Sequence, residues 1–269
     1  MPVEITQLIS YPIKSCAGIH HQHISITTLG LQFDRHWMIT DAEGRFISQR
    51  QFPQMALIQP AIIEDQLHLQ APGMEDISCA INPSLGTCKA TVWKDLLIVD
   101  KSHTHINEWL SSYLGSAVQL VHYGTQSQRQ VDLKHAQPGQ QVAFADGYPL
   151  LITHQASLDQ LNTQLSRPIG MERFRPNVVV TSNQPAWQEL QWRQLGGAEV
   201  KIDLVKPCVR CVMTGVDQFK GEQTGSEVLK TLKQLFAHQD QAVFGINGIA
   251  QITDNKAVTL AVGQKLTVQ

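Results

Sequence analysis

The stretch HWMITDAEGRFISQ, residues 36–49, sets the reading of the chain. Two short runs of alternating apolar and polar residues flank Asp-Ala-Glu-Gly at 41–44, the layout of a β-hairpin. The alternation recurs outward in HISIT (23–27), MALIQPAII (55–63), QLHLQ (66–70) and LLIVD (96–100), with Gly, Pro, Asn and Asp between the runs. Pro53, Pro60, Pro72 and Pro83 leave no room here for a long helix. The first hundred residues are expected to be mostly β.

Beyond Lys101 the pattern changes. INEWLSSYLG (106–115) has helical spacing and stops at a glycine, and AVQLVHY (117–123) returns to strand. THQASLDQLNTQL (153–165) reads as a helix with Leu158, Leu161 and Leu165 on one stripe and Thr153 or Ser157 as its cap. SEVLKTLKQLF (226–236) reads as a third helix, with Val228, Leu229, Leu232, Leu235 and Phe236 facing a core. NVVVT (177–181), EVKIDLV (199–205), CVMTGVD (211–217), AQITD (250–254) and KLTVQ (265–269) are strand-like. The expectation is a β-rich α+β protein with barrel-like sheets and a few helices, its halves joined near residue 120 (1–120 and 121–269).

The chain has 269 residues, 42% hydrophobic and 16% charged, with a net charge of -2. That balance argues against disorder and against a basic nucleic-acid-binding surface. No apolar run approaches the roughly 18 residues that cross a bilayer, and MPVEITQLIS lacks the layout of a signal peptide. A cytoplasmic protein working away from membranes is expected.

Five cysteines, Cys16, Cys79, Cys88, Cys208 and Cys211, are an odd number with no export signal, so free thiols are expected. Cys208 and Cys211 form a CxxC in KPCVRC (206–211). Half a zinc site, a dithiol pair and a single thiolate are all conceivable. No second ligand pair follows for zinc, and VMTGVD reads as strand and turn rather than the helix of a thioredoxin-like motif. One reactive thiolate, favoured by the positive charge of Lys206 and Arg210, is the best reading.

Three more segments put donors at strand ends: YPIKSCAG (11–18) with Lys14 and Ser15, FDRHW (33–37) with Arg35, and RFRPN (173–177) with Arg175 and Asn177. Arg offers a bidentate fork, Lys a point charge, and Ser and Asn orient remaining oxygens, which is the donor set of a phosphate site.

YPIKSC, DRHW, FRPN and KPCVRCVMTGVD, in this order, resemble MOSC proteins that carry the matching N-terminal β-barrel domain, a group that includes YcbX-like proteins and the mitochondrial amidoxime-reducing component. The resemblance spans nearly the whole chain. It implies a molybdenum–molybdopterin cofactor lying between the two domains, its metal bound by one protein cysteine, the second of the CxxC, Cys211. It also implies that Lys14, Ser15, Arg35, Arg175 and Asn177 hold the cofactor's phosphate and pterin, and that Val209 and Arg210 line the same pocket. Val209 stands where the mitochondrial relatives carry a polar residue.

The implied activity is reduction of small N-hydroxylated compounds. Nothing after KLTVQ would hold the [2Fe-2S] cluster that some YcbX-like proteins append, so electrons are expected from a separate ferredoxin-like protein or flavoprotein. The alternative is a sulfur or cofactor carrier using a Cys211 persulfide. Pyridoxal phosphate is associated with the family through the desulfurase domain of the cofactor sulfurases, which this sequence does not show. As proton donors, His154 and Asp217 are expected to be satisfied locally instead.

Overall fold

The computed structural model describes residues 1–82, 85–197, 199–236, 241–252 and 258–269. Pro83 and the Thr253–Asp254 end of AQITD lie outside them.

Seven strands close a barrel: β1 (Pro2–Ser10), β2 (Leu150–His154), β3 (Val178–Thr181), β4 (Gln194–Gly196), β5 (Lys201–Val209), β6 (Val243–Gln251) and β7 (Lys265–Val268). Around the barrel the order is β1-β3-β2-β6-β5-β4-β7, with β7 back on β1. Only β2 and β3 run parallel. The chain's first strand is thus a stave among strands from its second half, pairing Leu8 with Val178 on one side and Val3 with Leu266 on the other. Closure leaves no open edge. Apolar side chains from these strands, among them Ile5, Leu8, Ile152, Val178, Val180, Ile202 and Leu266, form one core cluster. Each such residue, fully buried, contributes about 1.5–3 kcal/mol.

The turn expected at 41–44 forms, but its second arm pairs with Trp37–Thr40 only through a single bridge, Thr40 to Phe46. Gly44 closes the turn by donating to the Asp41 carbonyl, and Ile47 donates back to Ile39. The strand Trp37–Thr40 belongs to a four-stranded sheet with Gln119–His122, Asp95–Lys101 and Thr87–Val92, in that order. A sequence division at 120 therefore passes through one of these strands. Gln59–Ile63, Gln66–Gln70 and Ile77–Ala80 form a second sheet. Trp37, Leu67 and Leu69 share a core with α1 (Thr104–Leu114), which ends as expected at Gly115 in the left-handed conformation, φ 64°.

Helices α2 (Gln155–Asn162) and α3 (Glu227–Leu235) pack with Phe174 and Phe244, whose rings stack at 3.6 Å. The expected apolar stripes of both helices lie in this cluster, except Phe236, whose ring meets Trp187 edge-on at 5.2 Å. Three local readings need correction. Neither Thr153 nor Ser157 caps α2: His154 holds the cap position, Thr153 is within β2, and Ser157 points inward to donate to Glu189. MALIQPAII begins as a 3-10 turn because Pro53 starts one at its first position. CVMTGVD is a 3-10 turn, Val212–Gly215, before a two-residue strand, since the Cys211 carbonyl accepts from both the Thr214 N–H and its hydroxyl.

Candidate functional site

The loop leaving β1 sets the first wall. Lys14 N–H donates to the Trp37 carbonyl, and Ser15 takes φ 69°. The buried Lys14 ammonium donates to the Phe144 carbonyl at 2.9 Å and to Asp146 Oδ1 at 2.5 Å. Burial lowers its pKa from the usual lysine value, with Asp146 opposing.

A second layer is built on Tyr11. The Arg35 and Arg175 guanidiniums each stand 4.2 Å from its ring centroid. Arg35 donates to both oxygens of Asp34 and to the Arg175 carbonyl, while Asp34 also accepts from the Tyr11 N–H. Arg35 and Arg175 both have positive φ, 51° and 53°. With Ser15, three of the expected site residues adopt a backbone conformation costing about 1–2 kcal/mol each in a non-glycine residue. Arg175 is 8% exposed and one of its terminal nitrogens, Nη2, has no partner. Burial brings its pKa down to about 10, so it keeps its charge at neutral pH.

The third wall comes from β5 and β6. Their register slips between Leu204 and Lys206 and again between Pro207 and Val209, opposite Gly245 with φ 74°. Two such irregularities bend the strand end and re-aim the residues beyond it. Cys208 is half-buried and Cys211 exposed. Arg210 donates through Nη1 to the Cys208 sulfur at 3.0 Å and through Nη2 to the Phe174 carbonyl at 2.8 Å, leaving its buried Nε without a partner.

These walls enclose one open cavity of about 1160 Å³. Lys14, Ser15, Arg35, Arg175, Asn177, Val209, Arg210 and Cys211 all line it. Among the described residues, no three or more His, Cys, Asp or Glu side chains gather around one point as metal ligands. A metal bound through Cys211 would have to bring its other ligands with it.

Residues 3–117 match the MOSC N-terminal β-barrel domain and residues 139–267 the MOSC domain. The mitochondrial amidoxime-reducing component 1 of Mus musculus is 32% identical over 257 residues, covering 90% of this chain and 74% of that protein. The chain belongs to the MOSC family. Component 2 of Rattus norvegicus is 34% identical, over 85% of this chain and 71% of its own length. A molybdenum cofactor sulfurase of Drosophila mojavensis is 28% identical over 94% of this chain, which spans 33% of that protein.

Within this MOSC cavity some side chains behave differently from expectation. Arg210 turns to Cys208, so its charge does not sit on the Cys211 sulfur as the linear sequence suggested. Asn177 braces the barrel: its side-chain carbonyl accepts from Leu151 N–H and its amide donates to the Ile9 carbonyl. His154 is buried, sharing a hydrogen bond with Ser182, and Asp217 pairs with Arg173 at 3.3 Å, so neither is presented to the cavity. Sequence reasoning passed over Arg50, Trp93, Arg129, Asp146 and Arg173, which also line it. One signal was legible. In VWKDLL a Trp-Lys pair sits at a hairpin turn, where Asn-Gly is usual.

Proposed function

We propose that this MOSC protein binds a molybdenum–molybdopterin cofactor and reduces small N-hydroxylated compounds, with electrons delivered by a separate ferredoxin-like protein or flavoprotein. The carrying observation is one cavity that gathers an exposed thiol, Cys211, and two buried guanidine nitrogens without partners, Arg175 Nη2 and Arg210 Nε. Buried donors left open cost about 1–3 kcal/mol each, which an anionic ligand would recover. The names of the amidoxime-reducing relatives support the reaction class.

Cys211 would supply the protein's thiolate ligand, and its exposure leaves the sulfur accessible. Arg175 and Arg210, with Lys14 and the Ser15 hydroxyl, would clamp the phosphate and orient the pterin. Arg35, tied to Asp34 and to the Arg175 carbonyl, holds that clamp in place. When bound, the cofactor supplies the two-electron chemistry that removes oxygen from nitrogen.

The test is metal and pterin analysis of protein made in a cofactor-competent host, followed by reduction of several N-hydroxylated compounds with an artificial electron donor. Near-stoichiometric molybdenum and pterin with turnover are expected, and their absence sinks the proposal. The same exposed thiol and the likeness to a cofactor sulfurase favour sulfur carriage as the second reading. That reading requires Cys211 to gain the mass of one sulfur atom when the protein is incubated with a cysteine desulfurase and cysteine.

A further inference from the structure

The His-Thr-His run at 103–105 leads from the strand Asp95–Lys101 into α1, and neither histidine lines the cavity. His103 holds the cap position of the helix, where Ser, Thr, Asp or Asn is usual, yet its side chain makes no capping hydrogen bond. Its Nε2 is instead buried with no partner among the described residues. A buried ring nitrogen in that condition is unfavourable unless a ligand meets it.

His105, two residues on and exposed, is held from another side. Its Nε2 lies 3.1 Å from the Ser78 carbonyl oxygen, in the strand Ile77–Ala80. A carbonyl can only accept, so Nε2 is the protonated nitrogen and Nδ1 keeps its lone pair. Metal-binding histidines are oriented in this way. The far ring N–H goes to a carbonyl or carboxylate, which fixes the near nitrogen as the ligand.

The two rings stand 5.2 Å apart, centre to centre, and are tilted by 41°, neither stacked nor edge-on. Two imidazoles on one tetrahedral ion have nitrogen–metal distances of about 2.0–2.1 Å, which puts their ring centres about 5 Å apart. The observed spacing is that of a shared ligand pair. Among the described residues no third His, Cys, Asp or Glu joins them, and the exposure of His105 leaves the other positions open to water. The positive end of α1 opposes a cation here, by about fivefold or less in affinity. Two coordinate bonds outweigh that.

We propose that His103 and His105 bind a divalent transition cation through one nitrogen each, with water completing its shell. The cation ties the loop after Asp95–Lys101 to the first turn of α1 and, through the Ser78 carbonyl, to the strand Ile77–Ala80. Imidazole ligands select zinc, nickel or copper over magnesium and calcium, which take oxygen. The site does not involve Cys211 and stands whether or not the cavity holds molybdenum.

The test reads each histidine separately: diethylpyrocarbonate modification of the full chain, carrying no affinity tag, is followed by mass spectrometry as zinc or magnesium is added. Zinc should protect His103 and His105 together, at one shared midpoint, and magnesium should protect neither at about a hundredfold higher concentration. His103→Gln should raise the His105 midpoint at least about tenfold, and His105→Gln should do the same to His103. That loss is no smaller than the one expected on removing a residue that only orients a ligand. Zinc held by Cys208 and Cys211 does not enter such a readout, and the wild-type titration depends on no variant folding. Protection of one ring alone or of neither, or unchanged midpoints in the variants, overturns the site. Protection by inorganic phosphate but not by zinc overturns it as well, and assigns the uncapped helix end to an anion.

Discussion

Arg210 gives its guanidinium to Cys208, not to Cys211: Nη1 lies 3.0 Å from the Cys208 sulfur. The two thiols of the CxxC are therefore inequivalent, one half-buried beside a cation and the other exposed. Cys211→Ala should remove both molybdenum retention and reductase activity. Cys208→Ala should keep most of the metal, because the Phe174 carbonyl still anchors Arg210. Metal analysis and turnover of the two variants side by side check this, and the reverse ranking would move the ligand to Cys208.

Tyr11 carries Arg35 and Arg175 on one ring. Burial pushes its phenol up to about 12, so the ring stays neutral at working pH. Tyr11→Leu keeps bulk but removes the π face under both guanidiniums, a loss of about 2 kcal/mol or more in a desolvated setting. The expected outcome is a lower urea midpoint together with weakened cofactor retention. Arg175→Ala should weaken retention too, and unchanged molybdenum content in that variant would show its role to be structural only.

The sequence makes the outline of this site readable because its donors cluster in short motifs at strand ends. Strand-like patterning located β3, β5 and β7 and the last residues of β6, and Gly115 marked its helix stop, since both depend on local patterns. β2 escapes that reading because Leu150–His154 is buried at every position and does not alternate, and β4, Gln194–Gly196, is only three residues of QLG. Local pattern also could not show that β1 would sit between β3 and β7, which depends on closure of the barrel. Nor could it show that Arg35 and Arg175 adopt positive φ, because no glycine or asparagine marks those positions. Asp146 escaped for another reason: FADGYP looks like an ordinary polar turn, and only the fold brings it to Lys14, 132 residues away.

Gly245 lies opposite Cys208 in the slipped register of β5 and β6, at φ 74°. A Cβ there would stand 2.7 Å from the Ile152 carbonyl oxygen. Gly73 has the same φ with nothing within 4 Å. Gly73→Ala should cost about 1 kcal/mol from backbone conformation alone. Gly245→Ala adds a backbone clash and should cost at least about 2 kcal/mol. Because the cysteine wall depends on this bulge, the variant should also lose cofactor affinity, whereas Gly73→Ala should not. Urea titrations and metal content of the pair decide it.

His122 and Glu189 make stability respond to pH in opposite directions. Burial, then the neighbouring His36, brings His122 down to about 4 from 6.5. Above pH 6.5 it is neutral folded or unfolded, and its contribution is complete. Below that the unfolded chain takes the proton first, so stability falls as pH drops toward 4, by about 3 kcal/mol in all. Burial raises Glu189 to about 7 from 4.5, despite the hydrogen bond from Ser157. Here the unfolded chain loses its proton first, so stability falls as pH rises from 4.5 to 7 by a similar amount. Between pH 4.5 and 6.5 the two slopes oppose each other, and these groups leave the wild-type protein nearly level. Glu189→Gln removes one slope and should leave stability falling steadily on acidification from pH 6.5. His122→Gln should instead leave it falling on alkalinisation from pH 4.5. Denaturant unfolding of the three proteins across this range measures each slope directly, and parallel profiles would show that neither group titrates as its buried position requires.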